Sequence, residues 1–334
     1  MPNLSFSKPV QLKPGATIGI FSPSGALSLD RHEAGVRTLR SFGYNVVTAP
    51  ETLHEWRYFA GTDAERLASF HAMLADPAID AMMMSRGGYG FTRLLPGIDW
   101  QAVAASRKIF CGFSDFTAFN LAALARADLI TFAGPGSATD FDWRADLNTD
   151  AETDPTTVSR FVPESKHAKY AADHAFMAAH CWPALQGDPV STGAIACVHD
   201  YLPQTLTGPI WGSNLSLFAH LVGTPFMPEL DGGILFFEEI GEEPYAVERQ
   251  FLQLFHAGIL QKQKAIIVAD FTDCVPSSGR FAYTMEHVVE TLRTLLPYPV
   301  LTGLPFGHVA KKLTIPYGGQ AILDIGPDAF SLRY

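Results

Sequence analysis

The stretch KIFCGFSDFTAFNLAALARA, residues 108–127, decides the reading of this chain. Ile109-Phe110-Cys111 is a short apolar run of the kind that ends a buried strand. Gly112-Phe113-Ser114-Asp115 follows, and then Phe116, Phe119, Leu121, Ala122, Leu124 and Ala125 recur at helical spacing. A strand, a tight turn bearing a hydroxyl and a helix form the outline of a nucleophile elbow, which lifts a serine oxygen above the sheet edge at the positive end of a helix. A serine before an aspartate at a helix start is also an ordinary N-cap. The stretch by itself leaves Ser114 open between nucleophile and cap.

The same alternation extends outward. Residues 15–22 (GATIGIFS) read as a first strand with Ser22-Pro23-Ser24-Gly25 as its exit loop, and a helix follows over 29–42, ended by Gly43. Residues 44–48 give a second strand, 63–74 a helix stopped at Asp76-Pro77, and 79–84 (IDAMMM) a third strand. That strand exits through Ser85-Arg86-Gly87-Gly88-Tyr89-Gly90 into a helix carrying Phe91, Leu94 and Leu95; residues 129–133 give one more strand. Strands alternating with helices, with glycines at the strand ends, imply an α/β fold: a parallel sheet wound by helices, flavodoxin- or Rossmann-like. Ligands of such sheets sit off the carboxyl ends of the strands, where Ser24, Gly87-Gly88 and Ser114 all fall.

From Thr139 to about Asp188 the composition shifts to Asp, Thr, Ala and His, with a helix expected over 166–179. This reads as a linker or excursion between domains. His167, His174 and His180 lie in it, too loosely spaced for a metal site, and solvated or packed histidines are expected. A second block starts near Gly193, with a strand at 194–198, a glycine-rich turn at 208–215 (GPIWGSNL) entering a helix over 215–222, and a strand at 233–238 ending in two acids. A helix over 245–257, a strand at 265–270, a helix over 285–295, the loop Leu304-Pro305-Phe306-Gly307-His308 and a closing hairpin of 314–316 with 320–325 complete it. The expected organisation is a nucleophile-bearing domain over 1–140, a linker over 141–188 and a mixed α/β domain over 189–334, with the site between the domains.

Composition narrows the function. The 334 residues are 47% hydrophobic and 17% charged, which supports large cores. A net charge of −10 argues against nucleic acid as a partner. Cys111, Cys181, Cys197 and Cys274 lack a C-x-x-C arrangement and read as reduced structural thiols. No apolar signal region and no run of about 18 apolar residues is present, so a cytoplasmic protein without a membrane span is expected, and no metal or cofactor.

Glu238 closes the run Ile234-Leu235-Phe236-Phe237, where a carboxylate is costly to bury unless it is paired. The plain alternative is that Glu238 and Glu239 leave the strand into solvent, with Glu242 and Glu243 solvated or capping the next helix. His308 follows Gly307 in a loop. A serine at an elbow, an acid at a strand end and a histidine at a strand exit are the parts of a Ser–His–Glu triad. Oxyanion donors would be the amide of Asp115 and the Gly87-Gly88 turn, where no Cβ obstructs the backbone. Phosphate cradling is the other use of that pair, but neither G-x-G-x-x-G nor a Walker lysine accompanies it. G-x-S-x-G is absent as well, because Phe116 stands where its last glycine would be.

Six segments in order then match one family: GATIGIFSPSG at 15–25, SRGGYG at 85–90, GFSD at 112–115, GPIWGSNL at 208–215, FFEEIGEEPYAVER at 236–249 and GLPFGH at 303–308. The chain resembles the LD-carboxypeptidase family of serine peptidases, which includes the murein tetrapeptide (muramoyltetrapeptide) carboxypeptidases and the microcin-immunity peptidases. The resemblance implies Ser114 as nucleophile, Glu238 as acid, His308 as general base, and the backbone of Gly88 and Asp115 as oxyanion donors. It implies cleavage of the amide before a C-terminal D-amino acid, with the tetrapeptide of recycled peptidoglycan as substrate, D-alanine as product and a homodimer as the assembly. The 139–188 segment departs from the family pattern and bears on specificity.

Arg86 is the candidate partner for the substrate carboxylate, with an ion pair inside its own domain as the alternative; Asn214 would bind the substrate backbone or cap its own helix. Two rival functions remain. A microcin-immunity-type amidase acting on peptidyl-nucleotide adducts would turn Trp182 or Trp211 toward the site. A two-lobed binding module without chemistry would leave Ser114, His308 and Glu238 beyond about 6 Å of one another.

Overall fold

The computed structural model describes residues 6–141, 167–277 and 282–334. The first sheet is built from β1 (Thr17–Phe21), β2 (Asn45–Thr48), β3 (Ala81–Met84), β4 (Ile109–Gly112) and β5 (Thr131–Ala133), all parallel. Between and beside them run α1 (Leu29–Ser41), α2 (Asp63–Ala75), α3 (Trp100–Ser106) and α4 (Thr117–Ala127). The strand order β2-β1-β3-β4-β5 is the flavodoxin-type order, whose switch point lies between β1 and β3. Every residue of β3 and β4 is buried, because helices cover both faces of a parallel sheet and its strands become continuous apolar runs.

α5 (His167–Gln186) provides part of that cover. Its Met177, Cys181, Trp182 and Leu185 pack against Ile18, Ile20, Met83 and Ile109 on one face of the first sheet. The linker expected over 141–188 is therefore, in its described second half, a structural layer of the first domain. The helix also runs past the expected end at residue 179. Residues 142–166 lie outside the described residues.

The second sheet comprises β6 (Ile195–Ala196), β7 (Gln204–Asn214), β8 (Ile234–Ile240), β9 (Ala265–Thr272), β10 (Val300–Thr302), β12 (Gln320–Ile325) and β13 (Ala329–Arg333). Its order is β10-β9-β8-β7-β12-β13-β6, parallel from β10 to β7 and antiparallel from there on. α6 (Leu215–Leu221), α7 (Pro244–His256) and α8 (Met285–Leu295) accompany it.

Three expectations are corrected. Residues 204–214 are one strand instead of a turn at 208: Gly208 and Gly212 let β7 lie so close to β8 that a Cβ on either would strike the neighbouring backbone. The expected terminal hairpin does not form. β11 (Ile315–Tyr317) crosses to the first sheet and pairs antiparallel with β5, while β12 joins the second sheet. Finally, short 3-10 turns replace the helix expected at Phe91, since Pro96-Gly97 interrupts it, and α3 starts at Trp100 behind an Asp99 cap.

One apolar core joins the domains. Phe116, just before α4, and Phe119 on it pack with Phe21, Phe70, Phe91 and Phe110 of the first sheet's layer, and the same cluster continues through Trp211, Phe218, Phe236 and Phe237. A helix that is apolar on every face is one that is buried on every face. Gly212 tests the sheet that carries this core: it has φ +136, and an added Cβ would sit 2.0 Å from the Phe236 carbonyl oxygen. Gly212→Ala is expected to lower stability by roughly 3 kcal/mol, read as a fall in the urea midpoint; an unchanged midpoint contradicts the packing described.

Candidate active site

Ser114 sits in the turn between β4 and α4 with φ +59. A non-glycine residue in this left-handed region is strained, and such strain concentrates at functional turns. Its hydroxyl caps no helix: neither the 3-10 turn nor α4 has a side-chain cap. Instead Ser114 Oγ lies 3.0 Å from His308 Nε2, and His308 Nδ1 lies 2.8 Å from Glu238 Oε2. The capping alternative for Ser114 is thereby replaced by a side-chain chain spanning both domains.

Glu238 reaches His308 through an irregularity in β8. Its pairing with β9 shifts register between Phe237 and Glu239, a bulge that re-aims side chains. Glu238 and Glu239 are both buried, so the reading of these acids as a solvent exit is corrected. Glu239 turns to the start of α6, accepting bonds from Asn214 Nδ2 (2.9 Å), Ser216 N (2.8 Å) and Ile240 N. Burial raises its pKa. Gly307, with φ +141, brings the chain close to Glu238: an added Cβ would stand 3.3 Å from Glu238 Cβ and 3.0 Å from Asp270 Cβ.

The Gly87-Gly88 turn adjoins the serine. A Cβ on Gly87 would lie 2.9 Å from Ser114 Oγ and 3.5 Å from the amide nitrogen of Asp115. Gly88 has φ +108. The Asp115 side chain, fully buried, acts as a tie among three exit loops: Oδ2 accepts from Ser24 Oγ (2.5 Å) after β1 and from Phe91 N (2.8 Å) after β3. Burial pushes its pKa up to about 6.

Two family models match this chain: the LD-carboxypeptidase N-terminal domain over residues 18–134 and the LD-carboxypeptidase C-terminal domain over residues 207–323. The chain belongs to the LD-carboxypeptidase family. It is 33% identical to the crystal structure of a muramoyltetrapeptide carboxypeptidase from Oxalobacter formigenes, with a TM-score of 0.79 over 95% of this chain and 98% of that one. The murein tetrapeptide carboxypeptidase of Pseudomonas aeruginosa is 29% identical over 92% of both chains. The microcin C7 self-immunity protein of Escherichia coli is 28% identical over 93% of this chain and 91% of its own.

Other expected site residues separate by environment. Arg86 has no acidic partner among the described residues; its Nη1 donates to Ala26 O at 2.7 Å, and burial lowers its pKa. Asn214 caps α6, its Oδ1 accepting from Leu217 N at 3.1 Å while Nδ2 holds Glu239. Both indoles are packed in cores: Trp182 against Phe42, Tyr44 and Phe141, and Trp211 against Phe218 with Nε1 donating to Gln263. Neither Trp182 nor Trp211 is therefore turned to the site as the amidase rival requires. The separated side chains that the binding module requires are not seen either. His167's side chain lies outside the described residues; His180 bonds Phe176 O, and no described cluster of three or more His, Cys, Asp or Glu could hold a metal.

The sequence reading missed Lys312 and Asp140. Lys312 Nζ is 2.8 Å from Asp140 Oδ1, both buried, and 3.2 Å from the centroid of Phe113, whose ring meets His308 edge-on at 5.2 Å. Asp140 also accepts from Gly136 N and Thr139 Oγ1, and its pKa is lowered, with Lys312 the principal cause acting against burial. This pair fastens the His308 loop to the first domain. Nothing local in GHVAKKLTI distinguishes Lys312 from its solvent-facing neighbour.

Lys312→Met leaves Asp140 buried without its cation and is expected to cost about 3–5 kcal/mol in chemical denaturation; a loss below about 1 kcal/mol contradicts the pair's role. For Asp115, whose folded pKa lies above its unfolded value, the contribution to stability is present below about 3.9 and disappears as pH rises through about 6. Asp115→Asn removes that titration, so its Tm relative to the parent should rise between pH 4.5 and pH 8. Parallel Tm–pH curves would refute the burial argument.

Proposed function

We propose that this chain is a serine-type LD-carboxypeptidase that removes the C-terminal D-alanine of murein tetrapeptide during peptidoglycan recycling. The observation that carries the reading is the continuous contact from Ser114 Oγ through His308 to the buried Glu238, at 3.0 and 2.8 Å. The named relatives support its substrate class, since the Oxalobacter formigenes and Pseudomonas aeruginosa proteins are named for tetrapeptide carboxypeptidase activity. A cytoplasmic location and a homodimer go with this reading; among the described residues no helix is long and apolar enough to cross a membrane.

In this mechanism His308 Nε2 takes the Ser114 proton as Oγ attacks the carbonyl carbon on the L-side of the scissile amide. Glu238 accepts the Nδ1–H bond, which fixes the tautomer and stabilises the imidazolium. The amides of Gly88 and Asp115 hold the oxyanion; in support, a Cβ on Gly87 would meet both Ser114 Oγ (2.9 Å) and the Asp115 amide nitrogen (3.5 Å), and its absence leaves room for the substrate carbonyl. The tetrahedral adduct collapses with cleavage of the C–N bond. The His308 proton passes to the departing amine, giving free D-alanine and an ester on Ser114. Water then gives its proton to His308 and its oxygen to the ester carbon, and Ser114 regains its proton as the shortened peptide leaves.

The test is D-alanine release from purified murein tetrapeptide, followed by coupled oxidation or mass spectrometry. Ser114→Ala and His308→Ala are each expected to lower kcat by at least about 10³-fold with the fold retained. Glu238→Gln is expected to lower kcat by a smaller factor, with KM little changed. Full activity of Ser114→Ala refutes the proposal.

A further inference from the structure

Beside the nucleophile the first domain builds a second polar centre. A Cβ placed on Gly25 would lie 3.4 Å from Tyr58 Cζ, 3.5 Å from Arg86 Cζ and 3.4 Å from Gly87 O. A phenol and a guanidinium thus converge on one point next to the glycine that adjoins Ser114 Oγ. A Cβ on Gly88 would stand only 2.2 Å from Tyr58 Oη, so the hydroxyl overhangs the proposed oxyanion donor. Tyr58 is 49% exposed. Its backbone is pinned to the exit loop of β1, because Ala26 N donates to Tyr58 O at 3.0 Å and Ala60 N to Ser24 O at 3.1 Å. The residue before it, Arg57, has φ +58, a strained conformation at the turn that presents the ring.

We propose that Tyr58 and Arg86 together form the subsite for the C-terminal carboxylate of the substrate, with Tyr58 as the specificity-determining residue that the sequence does not reveal. Arg86 is partly engaged by Ala26 O and, among the described residues, has no acid beside it, which leaves donors for a carboxylate. The phenol hydroxyl supplies a further donor. Charge-assisted bonds of this kind are shorter and stronger than neutral ones. The neighbourhood suits an exopeptidase: one residue separates a scissile carbonyl from the terminal carboxylate, about 3.8 Å between successive Cα atoms, and Gly87, on which an added Cβ would lie 2.9 Å from Ser114 Oγ, has its carbonyl oxygen 3.4 Å from the Gly25 Cβ position on which the pair converges. An internal peptide bond would place an uncharged, continuing chain where this pair stands, so the pair selects chain ends.

The inference rests on the carboxypeptidase reading for its substrate, and the test separates the two. Calorimetric binding to the Ser114→Ala protein is measured with murein tetrapeptide and with the same peptide ending in D-alaninamide. The acid is expected to bind at least about 10-fold tighter than the amide, with Tyr58→Phe removing about 10-fold of acid affinity and Arg86→Gln about 10²-fold, while amide binding changes little. On the Ser114-bearing enzyme, Tyr58→Phe should raise KM far more than it lowers kcat. Equal binding of acid and amide, or equal losses for both in Tyr58→Phe, overturns the subsite. If the acid preference holds and follows Tyr58 and Arg86 but the parent enzyme releases no D-alanine, the subsite stands and the reaction assignment fails.

Discussion

α4 is the element on which the arrangement depends. Residues 117–124 of that helix are buried on every side, because the first sheet's layer packs on one flank and β7 with α6 on another. The helix starts where the Ser114 turn ends, so any movement of the second domain over α4 would displace Glu238 and His308 relative to the serine. A continuous apolar cluster running from Phe70 and Phe110 through Phe119 to Phe218 and Phe237 resists such movement, since close-packed interiors transmit displacement instead of absorbing it. Three polar side chains from two sheets can hold hydrogen-bond distances only against a boundary this stiff.

Local backbone devices then set the aim of each group. Ser114 stands in a left-handed turn, Glu238 at a strand irregularity, and His308 behind a glycine at φ +141. Each is unfavourable or specialised on its own and is supported by tertiary contacts: the Asp115 carboxylate ties the loops after β1, β3 and β4, and the Lys312–Asp140 pair fastens the histidine loop. The two adjacent acids of β8 show how finely the bulge divides labour. Glu238 faces the histidine, while Glu239 satisfies the amides at the start of α6.

The fold is shared with proteins of different named roles. Solved structures of the microcin C7 self-immunity protein, 24% identical, superpose with TM-scores of 0.78–0.79, and that similarity speaks to the fold alone. Differences in what is bound must then lie in the side chains around the site. In this chain both candidate tryptophans are spent on core packing, and the groups beside the Gly87-Gly88 turn are a tyrosine from the β2–α2 connection and an arginine from the loop after β3.

Much was legible in the chain itself. Alternating apolar runs and helical periods gave the parallel sheet, because burial on two faces imposes its pattern on every few residues. GFSD, the acids at 238–239 and GLPFGH were visible as candidates, because glycines and polar residues at the ends of apolar runs mark chain reversals and exposed or paired groups. Other features had no local signature. The crossing of β11 to the first sheet depends on a partner strand some 180 residues away, and the service of α5 as a layer depends on a face exposed only once the sheet exists. The burial of Lys312 and the approach of Tyr58 to Gly88 arise from surfaces that meet after folding. The sequence by itself determined the elements and the chemical types available, since both follow from short-range sterics and hydrophobic period. The tertiary structure alone decided which of those groups touch, since a contact between residues 114, 238 and 308 is created by packing across two sheets and has no energy in the extended chain.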